Sequence, residues 1–185
     1  MTLNLKNLLN PKIKPSKMGE FQELQPIAGL QISAVSADLY GDGRDDLALF
    51  YFPKGANFAA VYTSSKITSA NINWNLKIKR HFVKALMVNT QNANAFTGVK
   101  GAQGLKEVAQ SLSKSLTLKS SQSPKGIDDV VKITDLLFAS TGVIGEEFPR
   151  NKIKNTIPEL VKKLRTEQNK YVSFKAAGAI MTTDT

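Results

Sequence analysis

Cysteine is absent from this sequence, and histidine occurs once, at His81. Without cysteine there is no disulfide framework and no thiolate metal site. With a single imidazole, a zinc site would need carboxylates almost throughout, a donor set zinc rarely uses. A Ser–His–Asp triad would have to rest on His81, which has no supporting pattern around it. Long apolar runs are missing as well: no segment approaches the roughly 20 residues of a membrane-spanning helix. Leu3, Leu5, Leu8 and Leu9 are interrupted by Asn and Lys, so the first residues lack a signal-peptide core. The expectation is a soluble, cytoplasmic protein with no membrane association. Acidic residues are scarce too, 15 against 25 Lys and Arg, for a net charge of +10. The positive residues are spread thinly, with local clusters only at residues 77–80 and 162–165. Neither is interleaved with aromatics as a nucleic-acid stacking platform would be. The excess reads as a lysine-rich solvated surface, or as charge balanced by another chain, and no nucleic-acid partner is expected.

What is present suffices for a globular core. The chain has 185 residues, 42% of them apolar and 22% charged, which fits one domain or at most two. Residues 1–22, carrying Lys6, Lys12, Lys14 and Lys17 with Pro11 and Pro15, read as a surface arm, and residues 23–185 as the folded domain. Residues 47–52 read as a buried strand ended by Pro53, and residues 59–63 as a second strand pairing antiparallel with it. Residues 71–76 read as polar loop or a short edge. A third strand is expected over 85–89 and a fourth over 135–139. The clearest helix covers 101–118, where Leu105, Val108, Ala109, Leu112 and Leu116 form one apolar face. Ile153, Ile157, Leu160, Val161 and Leu164 repeat that pattern, with Pro158 predicting a break or restart. A Ser-rich linker is expected over 119–128, and a short Ala-rich helix over 172–181. Alternating strands and helices argue an α/β fold, and the hairpin-like start argues a sheet that is not wholly parallel.

Three polar stretches stand out. Asp38, Asp42 and Asp46 recur at every fourth position around Gly43, which admits a calcium loop or a polar hairpin turn through Asp42 and Gly43. Residues 89–98 (NTQNANAFTG) follow a strand directly, and either cap their own loop or line a polar pocket. Residues 140–145 (STGVIG) leave the fourth strand where open α/β sheets tend to place sites. Hydroxyls and N–H groups aimed at one point there can stabilise an oxyanion; a Gly-rich turn without chemistry remains the plainer alternative.

Taken together, NTQNANAFTG, ASTGVIG at 139–145 and AIMTTDT at 179–185 resemble the N-terminal, or α, half of the ornithine acetyltransferases, the bifunctional glutamate N-acetyltransferases of the cyclic arginine pathway. The likeness runs from about residue 27 to residue 185, and residues 43–49 fit the family's first strand entry. It implies a layered sandwich of mixed sheets packed with helices, of the autoprocessing N-terminal-threonine-nucleophile type. It further implies a β chain, cut from the same precursor, whose new N-terminal threonine takes acetyl from N-acetylornithine and passes it to glutamate by a ping-pong route. No cofactor is implied, whether acetyl-CoA also donates stays open, and an α2β2 or higher assembly is expected. By motif, Thr141 and Gly142 match the oxyanion-hole pair and Thr182 the substrate-binding threonine, while Asn92 and Asn94 carry no single role. Two departures matter. Gln91 stands where the family commonly has glycine, and the sequence stops at Thr185, ahead of the family's cleavage point, so this polypeptide alone is expected to be inactive. A partner chain of a related aminopeptidase or amidase, or a calcium-binding module on residues 38–46, are the competing readings.

Overall fold

Strand pairing follows from which apolar runs can be buried on both faces. Residues 25–121 and 130–182 are described by the computed structural model; the expected arm, most of the Ser-rich linker and Thr183, Asp184 and Thr185 lie outside the described residues. Four strands, β1 (Gln31–Val35), β2 (Leu47–Asn57), β3 (Phe82–Asn89) and β4 (Leu136–Ser140), form one sheet in that order. β1, β2 and β3 pair antiparallel, whereas β3 and β4 run parallel. Helices α1 (Ala70–Asn75), α2 (Gly98–Ser120), α3 (Arg150–Lys162) and α4 (Lys170–Ile180) complete the fold, and a 3-10 turn, Ile133–Asp135, leads into β4.

The period-2 alternation of the strands sorts the core into two layers. Leu47, Leu49 and Tyr51 of β2, Ala85 and Met87 of β3, and Leu136 and Phe138 of β4 face α2 and α3. The anticipated stripe of Leu105, Val108, Leu112 and Leu116 meets them, with Ile153, Ile157 and Leu160 of α3. On the opposite face, Val172, Ala176 and Ala179 of α4 cover Ile32, Ala34, Ala48 and Phe50. α2 and α3 are also clamped by Glu107, which lies 2.9 Å from Lys154 and 3.9 Å from Arg150; the Lys154 hydrogen bond holds its carboxyl below the usual range.

Several expectations are corrected. Residues 59–63 form no strand: they run irregularly along the surface, with Val61 98% exposed. Their anticipated place beside β2 is taken by β1, so residues 43–49 lead into the second strand rather than the first. Pro53 does not end β2, which continues to Asn57 through a register shift between Tyr51 and Ala56 that accommodates the proline. Pro158 does not break α3, because Ile153, Ile157 and Leu160, all fully buried, hold both sides of it in one apolar seam.

Residues 71–76 were expected as loop or edge, and the structure makes residues 70–75 a helix with a specific task. Ser69 caps α1 by accepting the Ile72 N–H. From α1, the Asn75 amide accepts the Phe138 N–H at 3.1 Å and donates to the Phe138 carbonyl at 2.9 Å. The Trp74 indole N–H donates to the Leu136 carbonyl at 2.9 Å, its ring edge-on to Phe138. α1 thus covers the free edge of β4 with side chains.

The hairpin reading of residues 36–46 holds. Both carboxylate oxygens of Asp46, fully buried, accept backbone N–H groups, from Ala37 and Leu39 at 2.6 Å each. Asp42 accepts the Arg44 N–H. Among the described residues no three acidic or imidazole groups converge as a cation site, so the calcium reading is set aside. Burial pushes the Asp46 pKa up, against the two N–H bonds that lower it. A carboxyl whose folded pKa is raised contributes stability below its unfolded value, about 3.9, and loses it as pH climbs through the raised value. The stability difference between Asp46→Asn and the parent should therefore shift toward the variant as pH rises through that window. Denaturation midpoints from pH 3.5 to 7 would check this, and a flat or opposite trend would refute it.

Candidate functional site

The parallel register of β3 and β4 sets Asn89 beside Ser140, so the two loops leaving these strands start side by side. They then zip together through main-chain bonds. Thr141 N–H donates to the Asn89 carbonyl at 3.1 Å, Val143 N–H to Gln91 at 2.8 Å, Ala93 N–H to Val143 at 2.9 Å and Gly145 N–H to Ala95 at 2.9 Å. The Asn-rich loop and the STGVIG loop are one paired unit at the carboxyl ends of two parallel strands, where open α/β sheets place ligands.

Gly142 makes that pairing possible. Its φ is +134°, and a side chain there would run into the main-chain carbon and oxygen of Gln91 and come within 2.6 Å of the Asn92 nitrogen. Gln91 itself has φ +71°, the left-handed conformation that glycine adopts without cost. Gln91 therefore takes on backbone strain in this loop.

The asparagines line neither an open pocket nor a simple cap. Asn71, Asn89, Asn92 and Asn94 are all at least 97% buried, and each is satisfied. Asn92 accepts the Asn94 N–H at 2.9 Å and donates to the Glu146 and Glu147 carbonyls at 3.2 and 3.3 Å. Asn94 donates to Asn71 at 3.1 Å and accepts from the Thr97 hydroxyl at 2.8 Å. Thr90 donates its N–H to the Asp46 carbonyl at 3.0 Å, tying the loop to the β1–β2 hairpin. Of these residues, Asn71 escaped the sequence reading altogether, because it sits in the stretch taken for loop.

Above this buried layer lie the donors of Thr141 and Gly142. The half-buried Thr141 hydroxyl and the exposed Gly142 N–H are adjacent in the chain, and neither has a hydrogen-bond partner among the described residues. Thr182 leaves α4 two residues past its end; because Ala179 packs on Ala34, Ala48 and Val88, α4 delivers it to the same end of the sheet as Asn89 and Ser140. No hydrogen bond or ion pair joins Thr182 to the Thr141 loop among the described residues. His81 stands at the far end of β3, exposed and tilted against Phe58, remote from both loops.

The layered α/β domain, with its mixed sheet, has the fold of solved ornithine acetyltransferase and ArgJ structures. It superposes on ornithine acetyltransferase from Mycobacterium tuberculosis, solved with ornithine, with a TM-score of 0.74, covering 88% of this chain and 83% of that one at 24% identity. The Bacillus halodurans arginine biosynthesis bifunctional protein ArgJ gives 0.71 at 26% identity, over 85% of this chain and 74% of that one. The chain belongs to the ArgJ family, whose family model matches residues 31–185. Arginine biosynthesis bifunctional proteins ArgJ from Bartonella quintana (strain Toulouse) and Gluconobacter oxydans (strain 621H) are 34% and 36% identical to it, covering 94% and 88% of the chain. The chain spans 38% and 35% of the length of these two relatives. No helix among the described residues is long and apolar enough to cross a membrane.

Two substitutions test the loop pairing. Gln91→Gly relieves a left-handed non-glycine residue, about 1–2 kcal/mol, against a glycine entropy cost of about 0.5–1 kcal/mol. The expected result is a melting temperature raised by about 2–4 °C. Gly142→Ala forces the loops apart and should destabilise the chain by more than about 2 kcal/mol. Thermal denaturation of both variants reads the two effects, and equal midpoints would contradict the pairing.

Proposed function

We propose that this chain is the α half of an ornithine acetyltransferase acting in the cytoplasm, and that Thr141 and Gly142 form its oxyanion hole. The observation that carries the reading is the pair of uncommitted donors, the Thr141 hydroxyl and the Gly142 N–H, held on a loop that four main-chain hydrogen bonds tie to its neighbour. The names of the relatives and solved structures, bifunctional arginine biosynthesis protein and ornithine acetyltransferase, support the same assignment.

In this scheme a β chain supplies an N-terminal threonine, whose own amine removes the hydroxyl proton. The hydroxyl oxygen attacks the acetyl carbonyl of N-acetylornithine. The carbonyl oxygen gains negative charge and is received by the Thr141 hydroxyl and the Gly142 N–H. Collapse breaks the amide C–N bond, the amine leaves protonated as ornithine, and an acetyl ester remains on the threonine. The amine of glutamate then attacks that ester, the same two donors hold the second oxyanion, and the threonine oxygen departs with a proton. Thr182 hydrogen-bonds the amino-acid portion of the substrate. The donors contribute only while the oxygen is charged, so they lower the barrier rather than tighten ground-state binding. An α2β2 or higher assembly of the two chains completes the site.

The test is a coupled assay on the co-expressed α and β chains, following acetyl transfer from N-acetylornithine to glutamate. Absence of transfer with both chains intact would sink the proposal, and release of free acetate without an acceptor would favour an amidase. Within an active pair, Thr141→Ala should lower kcat about 100-fold or more with KM within about twofold, the signature of a lost transition-state donor.

A further inference from the structure

We propose that Ser140, Asn71 and Asn89 are positioning residues that hold the Thr141 and Gly142 donors through a hydrogen-bond chain of fixed direction; the inference rests on the function proposed above. The chain begins at the Thr97 hydroxyl, which donates to the Asn94 Oδ1 at 2.8 Å. Asn94 Nδ2 donates to Asn71 Oδ1 at 3.1 Å, and Asn71 Nδ2 donates to the Ser140 hydroxyl oxygen at 2.6 Å. The Ser140 hydroxyl donates to Asn89 Oδ1, and Asn89 Nδ2 ends the chain on the Asn92 carbonyl at 2.9 Å.

Main-chain carbonyls dictate this direction, because they accept and never donate. At one end, Asn89 Nδ2 faces the carbonyls of Thr90 and Asn92, so only its oxygen is left for Ser140. At the other, Asn94 Nδ2 also faces the Gly101 carbonyl at 3.4 Å, which turns its oxygen toward Thr97. With both ends set, the Ser140 proton has one destination. The amide side chains involved are at least 97% buried, where an unsatisfied donor or acceptor costs about 1–3 kcal/mol, so the chain resists reversal.

Two consequences follow. Of the neighbouring hydroxyls in the Ser140–Thr141 pair, the first is consumed internally and only the second is available to a ligand. Asn89 also grips the loop twice, by its side chain on Ser140 and by its carbonyl on the Thr141 N–H. The main-chain direction at Thr141 and Gly142 is therefore set from a buried neutral network spanning β3, α1, β4 and the loop before α2.

Ser140→Ala leaves Asn71 Nδ2 and Asn89 Oδ1 unpaired. Asn71→Asp replaces the group that donates to Ser140. In the α–β pair each should lower kcat about tenfold or more with KM within about twofold, and Ser140→Thr, which keeps the hydroxyl, should restore it. In the full chain alone, each should speed amide hydrogen exchange at Thr141 and Val143 about tenfold while the amides of Val108 and Leu112 keep parental protection. Parental kcat, or unchanged exchange at Thr141 and Val143, overturns the proposal, as does faster exchange spread evenly to Val108 and Leu112. If the parental pair transfers no acetyl, the functional reading fails, and the exchange measurement still decides whether the chain positions the loop.

Discussion

The parallel register between β3 and β4 is the constraint on which the site depends. It places Asn89 level with Ser140, and every further contact in the loop pair counts outward from that match. A parallel neighbour requires a crossover, and α2 supplies it while presenting its apolar stripe to the same strands. The long helix thus does two jobs with one set of residues: it carries the chain back to the starting end of the sheet and closes one face of the core. A slip of one residue between β3 and β4 would turn Ser140 to the other face of the sheet and separate it from the buried asparagines.

The candidate site is built of neutral groups. Asn, Ser and Thr side chains and main-chain amides surround the Thr141 and Gly142 donors, and the nearby Glu146 and Glu147 contribute their carbonyls, with exposed side chains. On the proposed reading, a chain with one remote histidine and no cysteine can still supply half of an acyl-transfer centre. Electrostatic stabilisation by oriented dipoles needs no titratable residue, only fixed direction. Direction is what the buried network provides.

Legibility from sequence followed the hydrophobic pattern. β2, β3, β4, α2, α3 and α4 announce themselves because their apolar residues repeat at strand or helix period. β1 and α1 do not. β1 is the five-residue run QISAV, three of its residues small or polar, and its identity as a strand rests on the neighbour it pairs with. α1 carries Asn71, Asn73 and Asn75, which read as loop; two of them are polar because they face polar main-chain and side-chain groups of β4. Two of the three motifs, the Asn-rich loop and STGVIG, were legible and come together in the fold. The link between Asn71 and Ser140, 69 residues apart, was not, since only the folded register brings them together. Gln91 shows the same limit, for its left-handed backbone follows from the close approach of Gly142 and not from its own preference.

The covering of β4 by α1 has a consequence for how the chain behaves in solution. β4 is an edge strand whose sequence, LLFAS, is almost wholly apolar, and its outer side is occupied by two side chains from a six-residue helix. Such a short helix has little stability of its own. When it lifts, a bare apolar strand edge is left, the kind of surface that templates pairing between molecules. Solubility of the newly made chain therefore hangs on Trp74 and Asn75, residues with no part in the chemistry, and self-association is the failure to expect when they are lost.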